Sequence, residues 1–106
     1  MPSKRTEILL LFALVLLAGC SAALYIPQPA DATADSSLEE LKLGRELYVE
    51  RCGRCHALYL PDRFSVAQWS SSLDRMQPRA RIDDTEKALI LKMLAAGKAR
   101  TAAKEQ

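Results

Sequence analysis

Cys52 and Cys55 stand three positions apart, and His56 follows the second thiol directly. No other stretch constrains the chain as tightly, because two sulfurs and an imidazole on one turn must converge on a common object. At this spacing the set reads as an attachment site for c-type haem. Each cysteine sulfur adds across one vinyl group, the vinyls sit on neighbouring pyrrole rings, and a short helical turn offers both thiols to one ring edge. The next residue then swings over the ring, so that a His56 nitrogen binds iron as the proximal ligand. There is one such set in the chain, so the expectation is one haem c per chain.

Three other readings of these residues are weaker. A structural zinc site needs four ligands, and beyond Cys52, Cys55 and His56 the chain offers only Cys20, which lies in an apolar leader. A redox dithiol uses the same cysteine spacing near a βαβ pattern, but no strand alternation is visible and His56 would be idle. A disulfide across two intervening residues would close a very short loop and stabilise little.

At 106 residues including a leader, the chain supports one small domain. Such a domain buries little core and usually carries a staple, a part that a covalently held apolar ring can play. Of the 15 basic and 13 acidic side chains, Lys4, Arg5 and Glu7 lie in the leader, and the remainder nearly balance. Near neutrality argues against strong electrostatic steering, and no basic footprint for nucleic acid is present. Arg75, Arg79 and Arg81 make a modest basic run that reads as solvated surface.

Residues 1–19 have the form of an export signal, with Lys4 and Arg5 ahead of the uninterrupted apolar run Ile8 to Ala18. Leu17-Ala18-Gly19-Cys20 is similar to the lipobox of bacterial lipoprotein signals. That similarity implies cleavage before Cys20 and a diacylglycerol on its sulfur. An ordinary signal-peptidase site is a second reading. An uncleaved anchor is a third, since the uncharged stretch Ile8 to Ile26 would span about 28 Å as a helix. Each version places the domain on the outer, periplasmic side of a bacterial cytoplasmic membrane, and the lipid and helix versions hold it there.

Residues 20–37, with Pro27, Pro29 and a run of Ala, Asp, Thr and Ser, show no period and read as a flexible tether. A coil of that length reaches about 20–25 Å. Residues 38–97 form the expected folded domain. Ser37 with Glu40 is a capping box, and Leu38, Leu41, Leu47 and Tyr48 give an apolar stripe for a helix ending near Arg51. Gly44 inside that helix costs about 1 kcal/mol against Ala, which calls for the close approach of another helix. After His56, the apolar and turn-rich stretch to Phe64 should line the proximal side of the haem, with the Pro61 carbonyl as acceptor for the second His56 ring N–H. Ser65 caps a second helix with Val66, Trp69, Leu73 and Met76 on one face, ending at Met76 before Gln77-Pro78. A thioether at that helix end can reach the open side of the iron, so Met76 is the expected sixth ligand. Met93 is the rival, but it lies in the middle of an apolar stripe. The last helix starts at Asp83 or Asp84 with Glu86 in its first turn, buries Leu89, Ile90, Met93, Leu94 and Gly97, and stops at a Gly97 C-cap. Residues 98–106 are left as a polar tail.

So placed, residues 38–97 resemble the small class I cytochromes c. Gly44 and Tyr48 match the glycine and aromatic of that family's N-terminal helix, and Cys52, Cys55 and His56 match its haem motif. The segment from Trp69 through Leu73 to Met76 is similar to the W-x-x-x-L-x-x-M stretch that supplies the axial methionine in one branch. Ile90, Met93 and Leu94 fall where the C-terminal helix shows an aliphatic, an aromatic and a leucine, with Met93 replacing the aromatic. The resemblance implies an all-α cytochrome c-like fold of three main helices around one covalent haem, after an N-terminal signal or anchor helix. It also implies a haem pocket that includes Pro61 and Trp69, and an electron carrier rather than an enzyme, serving membrane-associated redox partners. A ligand sensor or small enzyme would need an open or labile sixth position, and with His56 the sole histidine, acid–base chemistry is hard to assemble. A fixed subunit of a membrane redox complex is equally compatible with the sequence.

Overall fold

The computed structural model describes residues 1–17 and 24–106, so Cys20 and its expected lipidation lie outside the described residues. Four α-helices follow one another: α1 (Lys4–Leu17), α2 (Leu38–Leu47), α3 (Val66–Ala80) and α4 (Asp84–Lys104). Among the described residues there is no strand, only an isolated bridge between Thr33 and Ser36. The chain is all-α. No helix among the described residues is long and apolar enough to cross a membrane. The chain is already non-helical at Leu24 to Gln28, so the Ile8–Ile26 stretch is not one continuous helix.

The helix starts follow local chemistry. Ser37, Ser65 and Asp83 each accept a hydrogen bond from the backbone N–H three residues on, while Glu40, Gln68 and Glu86 reach back to the cap's own N–H. Each box satisfies two donors that a helix start would otherwise leave bare.

The centre of the domain is the crossing of α2 and α4. A methyl group on Gly44 would collide with the Leu89 carbonyl oxygen and come within 3.0 Å of Met93 Cβ. The missing side chain is therefore what lets the two backbones touch. Around this point Leu41, Ile90, Met93 and Leu94 are fully buried, and fully burying such a side chain stabilises by about 1.5–3 kcal/mol. Trp69, Leu73 and Ile82 close the core from the side of α3.

Several boundaries differ from the sequence expectation. The first helix is α-helical only to Leu47, and Tyr48–Cys52 forms a π-helical turn. The second helix does not stop at Met76: it runs through Pro78 to Ala80. It ends where Arg81 adopts a left-handed conformation (φ 54°), with Arg81 N–H and Ile82 N–H both donating to the Gln77 carbonyl. Burial of Ile82 holds that stop in place. On α3, Trp69 and Leu73 are buried, Met76 is half-buried and Val66 is exposed, so the expected four-residue face is only half realised. The last helix continues past Gly97 to Lys104, which removes both the expected C-cap and the frayed tail. Gly97 is buried inside the helix because a methyl there would lie 2.7 Å from Pro61 Cγ and 2.9 Å from Tyr25 Cγ.

The segment expected as a tether is, over residues 24–36, a strap laid against the domain. Pro29–Asp31 makes a 3-10 turn. The Asp31 carboxylate pairs with Arg100 on α4 through Nε at 3.0 Å and through Nη2, and Arg100 also donates to the Ile26 carbonyl. The same guanidinium lies 4.5 Å over the Tyr25 ring, and Arg45 of α2 donates to the Tyr25 carbonyl. These specific partners, absent from any count of apolar residues, overcome the ordering cost of the segment.

Candidate functional site

The π-helical turn delivers Cys52 to the edge of the core and hands the chain to a tight turn, in which Cys55 N–H donates to the Cys52 carbonyl at 3.4 Å. Wide turns of this kind recur at functional positions. Cys52 is half-buried and Cys55 exposed, and both are free thiols. Burial, and then the neighbouring Cys55, push the Cys52 thiol above its ordinary range, so its thiolate is scarce without a base or an electrophile to draw off the proton.

His56 is exposed. Its Nδ1 donates to the Ala57 carbonyl at 2.8 Å, so Nε2 is the nitrogen left to bind a metal. This corrects the expected pairing of His56 with Pro61. The Pro61 carbonyl instead accepts the indole N–H of Trp69 at 2.8 Å. A second clamp lies next to it, where the Tyr48 hydroxyl donates to the Tyr59 carbonyl at 2.7 Å. Burial first, then nearby Cys52, raise the Tyr48 phenol to about 12.

Between these clamps the rings form a ladder. His56 and Tyr59 are 5.8 Å apart, Tyr59 and Phe64 5.5 Å, Phe64 and Trp69 5.1 Å, and Trp69 and Tyr48 6.2 Å. The last three pairs meet edge to face, the favoured geometry for aromatic contacts. Tyr59 and Phe64 as ladder members, and the hydroxyl of Tyr48 as a clamp, are site features that sequence reasoning missed. The sequence holds only a faint signal for them, aromatics at 48, 59, 64 and 69 on either side of the histidine.

The structure thus joins Cys52, His56, Pro61 and Trp69 into one contiguous assembly with Cys55 at its surface. Met76 stands apart from it, seven residues beyond Trp69 on α3, half-buried and outside the packed cluster. Met93 is sealed in the core beneath Gly44.

The residues present suit a covalently bound haem. Two free thiols on one turn and an imidazole with Nε2 open are the donor set that the group requires. Arg51, beside Cys52, already faces two carboxylates, with Nε 4.0 Å from Glu50 and Nη2 3.8 Å from Glu86. Val49, Tyr59 and Leu60 expose apolar surface close by in the chain. No cluster of three or more His, Cys, Asp or Glu able to hold a metal ion occurs among the described residues. No protein-family model matches this chain, and no curated protein or solved structure matches it either.

Proposed function

We propose that this chain is an exported c-type cytochrome that carries electrons, with a cytochrome c-like arrangement of α2, α3 and α4 around one haem. The observation that carries the reading is the turn itself: Cys52 and Cys55 as free thiols, followed by an imidazole whose Nδ1 is already committed to a backbone carbonyl. When bound, haem c supplies a one-electron ferric/ferrous couple. The chain's part is to fix Cys52 and Cys55 on one turn, to hold His56 by the Ala57 carbonyl, and to keep the Tyr59–Phe64 loop rigid through Tyr48 and Trp69. Met76 is the proposed sixth ligand, and thioether ligation raises the potential relative to a second imidazole. What favours it over Met93 is that it is half-buried, whereas Met93 is sealed in the core. A domain attached to the outer face of the membrane by lipid on Cys20 would serve membrane-associated redox partners.

A second reading has one observation in its favour. Met76 is not locked in the packed cluster, so a labile sixth position would make the domain a sensor of small haem ligands. The optical spectrum of protein matured with covalent haem separates the two. The expected result is a low-spin spectrum with a weak sulfur-to-iron band at the red edge of the ferric form, and Met76→Ala should abolish that band and lower the midpoint potential. A high-spin ferric spectrum with immediate carbon monoxide binding on reduction would establish the sensor reading instead. If no haem is covalently attached, the motif has been misread.

A further inference from the structure

The strap and the loop after the motif share a single floor. Tyr25 and Pro61 both rest on Gly97, each within 2.9 Å of the position a methyl group would take there. Where they meet, Ile26, Leu60 and Lys104 border a shallow depression of about 300 Å³ that also contains Asp62. Ile26 is 54% exposed and Leu60 36% exposed, and Tyr59, the next ring to His56, is 49% exposed. This face mixes exposed apolar side chains with the Asp62 carboxylate, the Lys104 ammonium and the Arg100 guanidinium, the last already paired with Asp31. The chain leaves the domain from this same face, at Leu24.

We infer that this face rests on the lipid bilayer and turns the Cys52–His56 edge of the domain toward the membrane. The argument is one of chain length. Asp31, Arg100 and Arg45 pin the strap from Tyr25 onward, so only residues 21–24 separate the attached part from the proposed lipid on Cys20. That span covers at most about 18 Å even when fully extended, against the roughly 20–25 Å r.m.s. swing of an unpinned coil. An anchor this short at one corner brings that corner to the interface, and an apolar rim with an aromatic ring and near-zero charge is suited to lie there. Because the charges balance, the contact is with the bilayer's apolar boundary and does not require anionic lipid.

The inference rests on the membrane attachment proposed above, and the test separates the two. The full haem-loaded chain is incorporated into phosphatidylethanolamine vesicles doped with a lipid carrying a photoactivatable carbene group near its headgroup. Flotation reports attachment, and peptide mapping reports which residues the lipid labels. The expected result is labelling of peptides covering 24–28 and 58–63. Ile26→Asp should cut that labelling at least fivefold, with flotation and the haem spectrum unchanged. Asp31→Asn, which unhitches the strap without touching the face, should spread the labelling over the domain. Label confined to residues before 24, or centred on the alanine-rich side of α4 around 88–99, overturns the inference while attachment stands. Failure to float overturns attachment and the inference with it.

Discussion

The α2–α4 crossing and the loop from Cys52 to Phe64 are two ends of the same core, built in opposite ways. At the crossing, backbone meets backbone over Gly44, and Leu41, Ile90, Met93 and Leu94 have no exposed surface. Nothing else is needed to complete it. In the loop, Cys55, His56, Tyr59 and Leu60 are exposed, and order comes from two side-chain donors to backbone carbonyls and a ladder of rings. The crossing is a finished interior, whereas the loop is a fixed frame with one face open. The contrast separates the part of the domain that stores stability from the part that carries the proposed haem site.

The largest effect should come from closing the gap at the crossing. Gly44→Ala puts a methyl against the Leu89 carbonyl, a backbone atom that cannot move aside alone. Overpacking of this kind costs about 1–3 kcal/mol and sometimes more, and urea denaturation should place this variant at or above the top of that range. Near-parental stability would show that the helices slide apart freely, and that the crossing is not the rigid end.

Trp69→Phe tests the frame. It keeps most of the ring contact but leaves the Pro61 carbonyl without its indole donor, at a cost of about 1–3 kcal/mol. Hydrogen exchange should quicken in 57–64 and leave the amides of α2 and α4 around Gly44 unchanged. Equal acceleration at both ends would mean that the two regions form a single cooperative unit.

Tyr48→Phe should have the smallest effect at neutral pH, about 1 kcal/mol for a lost hydrogen bond. Its signature is in the pH profile. The Tyr48 phenol is raised from 10.0 to about 12 in the folded chain, so the folded state holds its proton where the unfolded state has released it. The corresponding stability is fully present below pH 10 and is lost as pH rises through about 12. Alkaline denaturation of the parent should show this decline between those limits, and Tyr48→Phe should flatten it. An identical alkaline profile would remove Tyr48 from the frame.

Much of the crossing was legible in the sequence because its signals are local. The capping boxes that open α2 and α4 lie within four residues, and a glycine amid a helical stripe calls for a close neighbour. The rest depends on what arrives from far along the chain. Gly97 satisfies the rule for a C-cap as well as the rule for a contact, and only the approach of Tyr25 and Pro61 decides between them. α3 runs through Pro78 and ends just beyond it, at a left-handed Arg81 that carries no glycine signature. The spacing alone makes the Pro61 carbonyl resemble a histidine partner, because nothing in it shows an indole turning back eight residues to claim it. The strap was missed for a similar reason, since Asp31 finds its cation 69 residues away. The cysteine and histidine positions remain a proposal resting on chemistry that the sequence states directly.

That last separation also orders events in time. A chain is made from its N-terminus, so Asp31 is among the earliest residues of the domain to emerge and must wait for Arg100, near the other end, before it can be held. Closing so long a loop is a late step, since its entropy has to be overcome before the contact returns anything. Until α4 is in place, the first residues of the domain hang free and the Pro61 side of Gly97 stays uncovered. The molecule therefore passes through an interval in which the segment around Cys52 and Cys55 is synthesised and Cys52 is not yet packed against the core. Anything that must act on those thiols has its widest access then.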